Sequence, residues 1–109
     1  MQLRSWLDSR GEAAPPALSA RIARLVAAHP EWEEMPIPEA LLVASELLMA
    51  EVMAAPEKDR GTALDLLTAD ACVTYAFEAA AEEQPEVLVQ LAERSMRQIA
   101  QLTNRVGAT

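Results

Sequence analysis

Apolar residues recur along this chain at helical intervals, and prolines and glycines cut the recurrence into five segments. Leu3, Trp6 and Leu7 stand at i, i+3 and i+4, which predicts a short helix over residues 3–9. Residues 10–16 read as a linker, with Gly11 to stop one helix and Pro16 to start the next. A second helix runs from Pro16 to about Ala28, striped by Leu18, Ile22, Leu25 and Val26, with Arg21 and Arg24 outside. Three prolines within residues 29–38 forbid a continuous helix there, although residues 30–33 have room for one turn. Pro38 followed by Glu39 opens a third helix, which reaches about Ala55 before Pro56 ends it. The fourth covers roughly residues 58–83, with Gly61 blurring its start. After a break at Gln84-Pro85-Glu86 the fifth continues to about Val106, with Gly107 as its stop.

The helices differ in how much of their circumference is apolar. The fifth places Leu88, Ala92, Ser95, Ile99, Leu102 and Val106 at 4-3-4-3-4 spacing, a narrow seam with Gln90, Glu93, Arg94, Arg97, Gln98 and Gln101 toward water. The third is wrapped by Leu41, Leu42, Val43, Leu47, Leu48, Val52 and Met53, interrupted only by Ser45, Glu46 and Glu51. In the fourth, Leu64, Leu66, Leu67, Val73, Tyr75, Ala76 and Phe77 surround a thin polar line of Asp70, Thr74, Glu78 and Glu82. A helix that is apolar almost all round must be covered on several sides. Two of them in a chain this short exceed the cover that the two small N-terminal helices supply. The third and fourth helices are therefore expected at the centre, with apolar surface left for a partner, most simply a second copy.

Composition narrows the class. Hydrophobic residues make up 51% and aromatics only 4%, with Ala and Leu dominant, a mixture that favours helix. No stretch alternates apolar and polar positions as a strand would. The expected fold is all-α: one domain, a compact bundle of four main helices plus a short N-terminal helix. A net charge of −8 repels phosphate backbones and anionic membranes, which makes nucleic acid and membrane surfaces poor partners. The single cysteine, Cys72, excludes an internal disulfide and reads as a small buried hydrophobe. The N-terminus lacks the apolar run of a signal peptide, and no uncharged run is long enough to span a bilayer, so a cytoplasmic location is expected.

Candidate chemistry is sparse. The three glycines form no phosphate loop, and the one histidine, His29, sits at a helix end where interaction with the helix dipole is its simplest role. Glu46, Glu51, Asp70 and Glu78 are the carboxylates nearest to a bundle-metal arrangement, but no Glu-x-x-His accompanies them and they read as solvent-facing edges. No metal or cofactor is expected. Within the fourth helix, the run Leu66-Leu67-Thr68-Ala69-Asp70-Ala71-Cys72-Val73-Thr74-Tyr75-Ala76-Phe77-Glu78 resembles a helix of the trans-polyprenyl synthases. Those enzymes depend on two Asp-rich Mg²⁺–diphosphate motifs. This chain holds no Asp-x-x-x-Asp and no Asp-Asp pair, so no activity or site residue carries over.

The function expected from these residues is a non-enzymatic protein–protein interaction module, acting as an adaptor, small subunit or homodimer. Its candidate contact residues are Trp32, Met35 and Ile37 on the proline-stiffened loop, and Leu47, Leu48, Val52 and Tyr75 on the central helices. Trp32 has a second reading, folded back as a cap on the core. The alternative function is a small apolar ligand or lipid-binding bundle lined by Met49, Met53, Met96 and Phe77.

Overall fold

The computed structural model describes the backbone of residues 2–10, 14–83 and 85–107, and the side chains of all of these except 83, 87, 102, 103 and 105–107. The middle of the linker, Gln84, and the seam side chains Leu102 and Val106 lie outside the described residues. The chain is all-helical: α1 (Leu3–Asp8), α2 (Pro16–Ala28), a 3-10 turn (Pro30–Glu34), α3 (Ile37–Ala54), α4 (Arg60–Glu83), a second 3-10 turn (Pro85–Val87) and α5 (Leu88–Gly107). Four main helices and a short N-terminal one form a bundle whose centre is the α3–α4 pair.

Five residues join α3 to α4, and two side chains fix the turn. The Lys58 ammonium donates to the carbonyls of Val52 (2.7 Å) and Ala55 (3.1 Å), which meets backbone acceptors left open at the end of α3. Asp59 caps α4, accepting from the Thr62 amide at 3.0 Å and the Thr62 hydroxyl at 3.2 Å. The helices return antiparallel, with Leu42 clustered on Ala80, and Met49 beside Leu66 and Ala69. Ala69, Ala76, Ala79 and Ala80 are all buried on α4, so the two backbones approach closely.

Layers flank this hairpin on opposite edges. Leu41, Ala44 and Leu48 of α3 share the larger cluster with Trp6, Ile22, Leu25 and Val26 of α1 and α2. Leu42 turns the other way and meets Leu91 of α5 with Val73, Phe77 and Leu88. Arg21 ties α2 to the turn end of the hairpin, bonding Asp65 at 2.8 Å and lying 3.4 Å from Glu51. Trp6 ties α1 to the far end of α4. Its indole N–H donates to Glu82 at 3.3 Å, its ring meets Tyr75 edge-on at 5.8 Å, and the Arg10 guanidinium covers it at 4.6 Å.

Candidate functional site

Of the expected contact residues, Trp32, Ile37, Leu48 and Val52 are buried in the monomer, and Met35, Leu47 and Tyr75 are partly covered. Leu48 is fully buried, Ile37 and Trp32 are almost so, and Val52 sits at the edge of the core. Trp32 stacks flat on His29 at 4.2 Å and joins the cluster beneath α2, so it takes the second of its two readings and caps the core. Met35, Leu47 and Tyr75 are partly covered and pack against the same cluster. The correction has a single cause: α1, α2 and the 3-10 turn cover α3 on one edge and α5 covers it on the other. The third helix therefore keeps only partly covered apolar residues, Val43, Leu47 and Met53 among them, toward the surface.

Apolar surface emerges instead on α4 and α5. Leu66 (48% exposed) and Leu67 (60%) stand on α4, and Val89 (68%), Met96 (69%) and Ile99 (61%) on α5. Geometry explains why the fifth helix shows so much. Its sequence seam centres on Leu88, Ser95 and Ile99, yet among the described residues its most buried is Leu91, 7% exposed, and Arg94 turns inward to pair with Glu46 on α3. At 100° per residue, the buried line is rotated by roughly 50° from the seam. That rotation lifts Ile99 to the margin. It also brings Val89 and Met96, seven residues apart and therefore on one line, to the side of α5 away from α3. Met96 thus lies on the surface and lines no interior space, contrary to its expected place in an apolar-ligand core.

Between the two exposed groups is a cleft of about 220 Å³ where α3, α4 and α5 meet. Leu66 and Ile99 form opposite lips, Ala69 and Val73 the floor, and Asp70 and Gln98 the polar margin. Ser95 lines it too, and its hydroxyl oxygen is buried without a hydrogen-bond partner. The arrangement suits an inserted side chain: apolar walls, one donor–acceptor group at depth, and a margin that is part apolar and part polar.

The carboxylates considered for metal binding are dispersed. Glu46 pairs with Arg94, Glu51 with Arg21 and Glu78 with Arg10, while Asp70 stands at the rim of the cleft. Among the described residues no group of three or more His, Cys, Asp or Glu side chains comes together. Burial raises the Cys72 thiol to about 12, so it stays protonated and unreactive in the native state. No helix among the described residues is long and apolar enough to cross a membrane. Among known proteins, no family model, no curated protein and no solved structure matches this chain.

Proposed function

We propose that this chain is a non-enzymatic interaction module that pairs with a second copy of itself through the α4–α5 strip. The observation that carries the reading is five large apolar side chains exposed on two neighbouring helices, Leu66, Leu67, Val89, Met96 and Ile99, of which Leu66 and Ile99 line one cleft. Singly exposed apolar residues are ordinary, but five of them on two neighbouring helices are how an association surface is built. In a two-fold pair the strip meets itself, and Leu67 or Met96 of each copy is placed to enter the other's cleft. A single buried cysteine with a protonated thiol suits a reducing compartment, which for this reading is the cytoplasm.

The test is solution mass by light scattering on the full chain and on three variants. Leu67→Glu and Met96→Glu place a charge on the strip and should return the mass to 11.8 kDa. Ala50→Glu, at an exposed position on α3, should leave the pair intact. Equal effects of all three substitutions would reject the strip as the interface.

A further inference from the structure

A second cleft, of about 300 Å³, opens on the opposite edge of the hairpin between α1 and α2. Its walls are Leu7, Ile22, Val26 and the Tyr75 ring, with Ala23 and Ala27 on the α2 side. Its charged residues are Arg4, Asp8 and Arg10, all from the first ten positions. Arg10 is held from two sides. Its terminal nitrogens pair with Glu82 and, at 3.4 Å, with Glu78, and its plane lies over Trp6. Those contacts leave one donor over: the Arg10 Nε is buried and has no hydrogen-bond partner. An N–H withdrawn from water without an acceptor is unfavourable, and more so on a charged group. Arg4 adds a second guanidinium at the mouth that enters no ion pair among the described residues.

We infer that this cleft binds a small amphipathic monocarboxylate, its tail lying along Ile22 and Val26 and its carboxylate accepting from the Arg10 Nε and Arg4. An apolar wall alone would take any hydrophobe; the unpaired guanidinium N–H selects an acceptor, and a charged one best. Asp8 on the same rim opposes a second negative charge, which disfavours dianions and phosphates. At the roughly 30 Å³ that a water molecule occupies in the liquid, the volume admits a ligand of roughly ten non-hydrogen atoms or a few more. That is the size of a medium-chain fatty acid or an arylpropionate. The site lies away from the α4–α5 strip and does not depend on the pairing proposed for it.

The experiment is an NMR titration of the full chain with octanoate, following the Arg10 Nε–H resonance and the Ile22 and Val26 methyls. Saturable shifts of all three are expected at millimolar concentration, with 1-octanol and suberate each at least tenfold weaker. Ala23→Glu, an exposed position on the wall, should abolish the shifts with the fold unchanged, and Arg4→Gln should weaken octanoate about tenfold. Octanol matching octanoate, shifts confined to the Leu66–Met96 surface, or an unaffected Ala23→Glu variant would each overturn the assignment.

Discussion

Trp6 shows how much one residue organises here. It is nearly fully buried, and three different interactions converge on it from Glu82, Tyr75 and Arg10. Trp6→Ala is expected to cost about 3–5 kcal/mol in urea unfolding, the usual range for removing a buried tryptophan. A loss below about 1 kcal/mol would mean that α1 is not docked as described. The ion pair behind it has a pH signature. The Arg10 guanidinium holds the Glu82 carboxyl below its ordinary value of 4.5, and the indole N–H adds to this. Because the unfolded chain binds that proton more readily, the contribution is complete above the ordinary value and is lost as pH falls through the lower, folded one. Asp59 behaves the same way, lowered by the Thr62 amide from its ordinary 3.8. Stability measured from pH 6 downward should therefore decline from about 4.5, and Glu82→Gln should flatten the upper part of that decline. Cys72 supplies a separate check. With its thiol raised to about 12 by burial, it should resist thiol reagents at neutral pH until the bundle opens, so that labelling rates follow unfolding. Rapid labelling of the native chain would contradict the close α3–α4 packing.

At the scale of elements, the tightness of α3 against α4 follows from alanine. Ala76 and Ala79 are fully buried, and widening either to Leu should cost about 1–3 kcal/mol through overpacking. A neutral Ala76→Leu would show slack between the helices. The Arg94–Glu46 pair is about one third exposed on both sides and contributes little to stability, about 0–1 kcal/mol, although it marks the side of α5 that faces α3. Much of this level was legible in the sequence, because proline acts locally. Pro16, Pro38 and Pro85 each mark a helical start within a residue or two, and the turn at Pro30–Glu34 lies where residues 30–33 had room for one. Side-chain destinations were harder to read. Heptad spacing put Arg94 in water and placed Leu91 outside the seam, yet Leu91 packs on Leu42 and Ala80, and Arg94 meets an acceptor on α3 forty-eight positions away. Nothing local to residues 88–106 encodes that partner. Trp32 was ambiguous for the same reason: its acidic, proline-rich neighbours suit an exposed anchor, and only its burial against residues of α2 and α3 decides the matter.

For the whole molecule, surplus apolar circumference was the feature that the sequence carried most clearly, and the structure moves it from α3 to α5. The fourth helix keeps part of it at Leu66 and Leu67. The reason lies in the order of packing. A central helix is covered on several sides, so the surplus falls on the peripheral fifth helix, which has neighbours on one side only. The cleft residues around Ser95 carry no motif and arise from three helices meeting. By contrast, the cleft residues between α1 and α2 looked in the sequence like ordinary amphipathic stripes.

Net charge offers the most direct test of the pairing. Two chains of −8 repel one another, and salt weakens that repulsion while leaving apolar contact intact or stronger. Sedimentation equilibrium of the unaltered chain, run at low and at high sodium chloride across a concentration range, reads the balance. The expected result is a mass moving toward twice 11.8 kDa with concentration, and association that tightens as salt rises. A mass of 11.8 kDa at every concentration and salt would contradict self-association, and association that loosens with salt would point to charge pairing in place of the apolar strip.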